Sequence, residues 1–209
     1  MTRIRFEGSR ADQPASQPGP PGSPAGPILP RYDARVAIPS PREAIRILDE
    51  GHTAVRRLVE GLSVDEWLRP NVIGGDWSAK DLLAHLAEWE RYALQALAEW
   101  RRGERPWVES LFEAGAVDQQ NAEAVARSRE RTLEEVRAGA EEVHRDLLLA
   151  LELVPEEGWR SKAPYPTTRR TTLGALLAAV LGAPRRPFGH AYAHLPDLEA
   201  YVASLRTRA

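Results

Sequence analysis

Cysteine is absent from this chain of 209 residues, which excludes disulfides, thiolate metal sites and a cysteine nucleophile. Any thiol chemistry must use a small-molecule thiol, and the absence fits a cytoplasmic protein. An excess of either charge is also missing: 28 basic and 30 acidic side chains leave a net charge of −2. Nucleic-acid binders usually carry a basic excess or a basic stripe, so no nucleic-acid partner is expected. Lysine occurs only at Lys80 and Lys162, an arginine bias to which we attach no function. Long apolar runs are lacking too. The most apolar stretch, Leu173 to Gly182, is too short to cross a bilayer, and Met1 to Phe6 shows no apolar run after its charges. Neither a membrane span nor secretion is expected.

Proline is distributed unevenly. Nine of the 17 prolines lie at or before Pro41, most of them among the Gly, Ser, Gln and Ala of Gln13 to Pro30. Such a segment has too little apolar surface to offset the entropy of ordering it. Residues 1–38 therefore read as a disordered tail and residues 39–209 as one helical domain.

The domain opens on Ser40-Pro41-Arg42-Glu43, which supplies an N-cap, a proline at the first helical position and a capping-box glutamate. Ile45, Leu48, His52, Val55, Val59 and Leu62 then recur at spacings of three and four as one apolar stripe. Ser63 starts a short piece. A second long helix runs from the cap at Ser78 to about Arg102, with Leu82, Leu86, Trp89, Ala93, Leu97 and Trp100 facing inward. Thr132 starts a third, with Leu133, Val136, Ala140, Val143, Leu147 and Leu151. The last helical region begins near Thr172, is interrupted by Gly182, Pro184 and Pro187, and resumes through Leu205. Four amphipathic helices without a convincing strand predict an all-α four-helix bundle.

Candidate chemistry lies in the five histidines. His190 and His194 are four residues apart, so on a helix both rings leave the same face, about 40° apart and one turn along, as two ligands of one metal ion can. Ala191 stands where a zincin's HExxH carries its glutamate, so a zincin protease is not supported. His85 lies about 70° from the centre of its stripe, and His194 lies about as far to the same side of its own. Such positions line a seam between helices, which makes His85 the best third ligand. His52, near the centre of the first stripe, reads as a buried, hydrogen-bonded histidine, with a fourth ligand or an acid/base group as the functional alternative. His144, at the edge of the third stripe, reads as solvated.

The run Gly75-Asp76-Trp77-Ser78-Ala79-Lys80-Asp81-Leu82-Leu83-Ala84-His85-Leu86-Ala87-Glu88-Trp89-Glu90 resembles the second-helix signature of the DinB-like superfamily. His190-Ala191-Tyr192-Ala193-His194 is similar to its late HxxxH element, and Gln120-Asn121-Ala122-Glu123 resembles a segment of its ClbS/DfsB-related branch. The resemblance spans residues 42 to 205. It implies an up-down-down-up bundle, frequently a homodimer, with a divalent ion, nickel or zinc, held by His85, His190 and His194. Pro184 and Pro187 depart from the superfamily by falling where its fourth helix runs on.

Three neutral imidazoles leave the ion an open position and its full charge, which favours an anionic ligand. Tyr192 is then a candidate hydrogen-bond donor and Asn121 a candidate substrate-orienting group, as is Gln120. Asp81 and Glu88 could fix imidazole tautomers, and Trp89 and Trp107 could wall a pocket. The leading functional expectation is a metal-dependent DinB-like enzyme acting on a small-molecule substrate, by transfer of a low-molecular-weight thiol to an electrophile or by hydrolysis. The alternative is a non-enzymatic, homodimeric ligand-binding or stress-protection bundle. One prediction follows from composition alone: limited proteolysis should remove most of residues 1–38 with no loss of helicity by circular dichroism, and a cooperative loss of fold on truncation at Ile38 would refute the boundary.

Overall fold

The computed structural model describes residues 37–74, 76–184 and 186–207, so the tail expected over residues 1–38 lies almost wholly outside the described residues. Among the described residues all regular structure is helical, apart from three isolated bridges. Four long helices form the bundle: α1 (Pro41–Val59), α3 (Ala79–Arg101), α6 (Leu133–Glu152) and α9 (His190–Arg206). Short helices α2 (Val64–Leu68), α4 (Trp107–Ala114), α5 (Val117–Arg129), α7 (Glu156–Arg160) and α8 (Leu173–Val180) connect and cover them. No helix among the described residues is long and apolar enough to cross a membrane.

The long helices start where local chemistry says they should. Ser40 accepts from the Glu43 amide, and Ser78 and Thr132 form reciprocal capping boxes with Asp81 and Glu135, satisfying amides that have no partner inside a helix. Helix directions follow from contacts along the seams. His52 and Arg56 of α1 meet Glu141 of α6, while Asp49, earlier in α1, meets His144, later in α6, so these helices run antiparallel. Lys80 reaches the Arg131 carbonyl and Glu90 meets His144, so α3 runs parallel to α6. Tyr192, early in α9, donates to Glu50 in the middle of α1, and Tyr201, later in α9, donates to the Glu66 carbonyl in α2, just beyond the end of α1, so α1 and α9 run in the same direction. These directions fit the up-down-down-up order.

The interior consists of two apolar clusters stacked along the bundle axis. One contains Leu48, Trp89, Leu97, Leu147, Leu177 and Phe188, and the other contains Val55, Leu82, Val136, Val143, Leu198 and Val202. Between them, at one level, lie His52, His85, His144, His190 and His194.

The interruption of the last helical region falls where its prolines predict, between α8 and α9. A Cβ at Gly182 would lie 2.2 Å from the Ala178 carbonyl oxygen, so only glycine fits this exit from α8. Phe188 takes a φ of +58°, a strained value for a side-chain-bearing residue. Its ring is fully buried and stacks on Trp159 at 5.6 Å. That apolar burial offsets the strain and places His190 at the first position of α9.

Glu109 on α4 is only 1% exposed and receives two hydrogen bonds from Arg170, at 2.5 and 3.0 Å. Arg170→Ala would leave a buried carboxylate without its partner, and breaking such a pair costs about 3 kcal/mol. Urea unfolding should show a loss of that order, and a change below about 1 kcal/mol would show that solvent reaches Glu109.

Candidate metal centre

His85 projects from the middle of α3, where it flanks the stripe that buries Leu82 and Trp89. His190 and His194 project from the first two turns of α9, one turn apart, as their spacing requires. The three rings are 2, 4 and 3% exposed in the order His85, His190, His194. The Nε2 atom of His190 lies 3.0 Å from Nε2 of His85 and 3.3 Å from Nε2 of His194, and one nitrogen from each ring falls within 4.8 Å of the others. Tetrahedral ligands at about 2.1 Å from an ion are roughly 3.4 Å apart. The nitrogens therefore match one small divalent cation without rearrangement of the backbone.

The electrostatics of the cluster favour the form a metal needs. Burial lowers the pKa of His194 from 6.5 to about 4. Burial first, and the neighbouring His194 second, hold His85 well below its ordinary value, and burial with His85 and His194 beside it does the same for His190. All three rings are thus neutral near pH 7, with lone pairs free to bind a cation. The Nδ1 atoms of His85 and His194 have no hydrogen-bond partner among the described residues.

Aromatic rings wall the cluster. Trp77, in the loop before α3, packs edge-on to His85 at 5.0 Å, and Trp89 packs edge-on to His190 at 6.1 Å. Trp89 donates from Nε1 to Asn121 Oδ1 at 2.9 Å, so Asn121, on α5, meets the centre through the indole. Gln120 donates to the Tyr92 hydroxyl. Trp107 packs on Tyr92, away from the imidazoles.

Several sequence expectations are corrected here. Tyr192 is not brought to the triad: its hydroxyl meets Glu50 at 3.4 Å and the Arg186 guanidinium lies 3.3 Å from its ring centroid. Two positions along a helix turn a side chain by about 200°, which sends Tyr192 to the face opposite His190. Asp81 is engaged by Ser78 and Arg129, and Glu88 by Arg91 and Arg127, so neither orients an imidazole. His144, expected in solvent, is 6% exposed because α1 covers it: the His52 ring stacks on it at 3.8 Å with 5° between the planes. Trp77 and Glu90 were not selected from the sequence. Their proximity to histidines depends on a loop return and a contact between helices, neither of which leaves a periodic signal.

A family model described as the mycothiol maleylpyruvate isomerase N-terminal domain matches residues 48–182, a span that includes His85 and stops before α9. No curated protein matches the sequence. Among solved structures, an uncharacterised protein from Escherichia coli UTI89 is similar at a TM-score of 0.62 and 13% identity, over 83% of this chain and 98% of that one. The colibactin self-resistance protein ClbS, solved in complex with a double-stranded DNA, is similar at 0.55 and 18% identity, over 78% and 98%. The last finding overturns the expectation that nucleic acid is excluded. A net charge near zero averages over the whole surface and does not describe any one face of a fold that, in ClbS, is found with duplex DNA.

The low pKa values set a pH dependence. Below about pH 6.5 the unfolded chain takes up protons that the folded triad refuses, so stability falls with falling pH until the folded groups titrate, near 4 for His194. His194 alone contributes about 3 kcal/mol across that window. The urea midpoint of the metal-free protein should fall steadily over this range, with a shallower fall in His194→Gln. An unchanged slope in that variant would show that His194 is not held neutral by burial.

Proposed function

Since the chain belongs to the mycothiol maleylpyruvate isomerase N-terminal domain family, and with it to the DinB-like superfamily of helical bundles, we propose that it is a divalent-metal-dependent enzyme acting on a small molecule. The observation that carries this reading is the convergence of three buried, neutral imidazole nitrogens from two helices on one point. His85, His190 and His194 would hold one ion, nickel or zinc, with no carboxylate among the three to neutralise it. Bound there, a divalent ion supplies Lewis acidity, which lowers the pKa of a thiol or of water.

The protein's own contribution is placement and exclusion of water. Trp77 and Trp89 cover two of the three rings, and Asn121 fixes the Trp89 indole by the hydrogen bond at its Nε1. With no cysteine in the chain, the reacting thiol of a transferase reaction comes from outside as a low-molecular-weight cosubstrate. Transfer of that thiol to an electrophile is the leading reaction and hydrolysis the second. The competing reading is a module that holds ion and ligand without turnover.

Elemental analysis of protein purified without an affinity tag should find about one divalent ion per chain. Replacing any one of the three histidines by alanine should weaken binding by more than about 100-fold, beyond the cost of losing a ligand's hydrogen-bond partner. Loss of an electrophile in the presence of simple thiols should be accelerated by the loaded protein and not by His194→Ala. Thiol turnover that survives in metal-free His194→Ala would refute the mechanism. Saturable ligand binding without turnover would favour the passive module.

A further inference from the structure

A cavity of about 30 Å³ lies between the triad and the second histidine cluster, with His190 in one wall and His52 and Glu90 in the others. Its remaining lining includes Leu48, Val55 and Phe188, so its polar faces are these three side chains. That volume accommodates one water-sized ligand with enough polar partners to hold it.

Glu90 is well placed to act on such a ligand. Its side chain is 13% exposed, and its Oε1 lies 2.8 Å from Nδ1 of the buried His144. His144 is in turn fixed by the parallel His52 ring. Outside this pair lie exposed carboxylates: Glu141 Oε1 is 3.3 Å from His52 Nε2, and Asp49 Oδ1 is 3.8 Å from His144 Nε2. Neither contact has hydrogen-bond geometry, so both Nε2 atoms are without a hydrogen-bond partner among the described residues. Glu90 thus faces His144 from α6 directly and shares the cavity with His52 from α1 and His190 from α9, while Asp49 and Arg56 from α1 and Glu141 from α6 lie on the outer side of the two stacked rings. A carboxylate oriented by an imidazole N–H and facing a small cavity has the arrangement of a general base. A second ion site is disfavoured by the stack itself: in-plane lone pairs of parallel rings 3.8 Å apart cannot converge on an ion about 2.1 Å from each.

We propose that Glu90 is the proton acceptor of the cavity beside His190, positioned by His144 and His52. The proposal rests on the reading of the triad as an ion site. An acid entering the cavity transfers its proton to the Glu90 carboxylate: the acid's bond to hydrogen breaks, a carboxyl O–H bond forms, and the acid keeps the electron pair as an anion facing the triad. His144 donates from Nδ1 to Glu90 before the transfer, and His52 holds its ring in place.

The test uses the full chain loaded with zinc and hydrogen sulfide as the smallest thiol probe. Proton release is measured by binding calorimetry in buffers of different ionisation enthalpy. The wild type should retain the proton, whereas Glu90→Gln should release about one more proton per sulfide bound. Glu141→Gln, at the surface, should behave as the wild type does. Equal release from wild type and Glu90→Gln would overturn the proposal. So would uptake of a second zinc equivalent that His144→Ala abolishes, since the cluster would then be a cation site. If no zinc binds, the ion reading fails by itself, and nitrogen-15 histidine spectra of the metal-free chain decide the rest. Glu90→Gln should move the titration midpoint of His52 and the Nδ1 resonance of His144 without changing the helical circular dichroism, and leaving both unmoved would overturn the role of Glu90.

Discussion

Imidazole nitrogens are costly to bury without partners, and this bundle places five rings at one level of its interior. The two apolar clusters above and below make that arrangement sustainable. They exclude water from the layer and fix the helices that carry the histidines. Within the layer the two sides solve the burial problem differently. On one side three nitrogens face one another with no carboxylate among them, an arrangement that a cation relieves. On the other side a half-buried carboxylate engages one imidazole, and a second ring stacks upon that imidazole.

The layer also explains the strained segment between α8 and α9. If α8 continued as one helix, His190 would be carried to a different height and angle. The exit at Gly182, the positive φ of Phe188 and the burial of its ring reset the register, so that α9 begins at the level of His85. The energetic cost of the turn is local, and its benefit appears at a residue that the turn itself does not contain.

Much of this was legible in the chain because it is written in short-range chemistry. The serine and threonine caps, the prolines that split the last helical region, and the four-residue spacing of His190 and His194 each concern residues within one or two turns. His85 was reachable because its angle to its own stripe matched that of His194. The pairing of His52 with His144, and of His144 with Glu90, was not legible. It depends on which helices are neighbours, and a stripe on one helix does not name the residue opposite. Tyr192 shows the opposite case: closeness in sequence to His190 does not bring its hydroxyl to the triad, because about 200° of helical turn separates the two side chains.

His85 and His190 are 105 positions apart in sequence, yet their ring nitrogens are 3.0 Å apart. Closing a loop of that length costs roughly 4 kcal/mol in chain entropy. The capped helices can form from local contacts, but the triad exists only once the last helix has docked onto α3. An ion held there would therefore act as a staple, joining the middle of the chain to its final helix and stabilising the folded state because only that state assembles the site. In a sequence without cysteine, this is a tie of a kind that disulfides supply elsewhere.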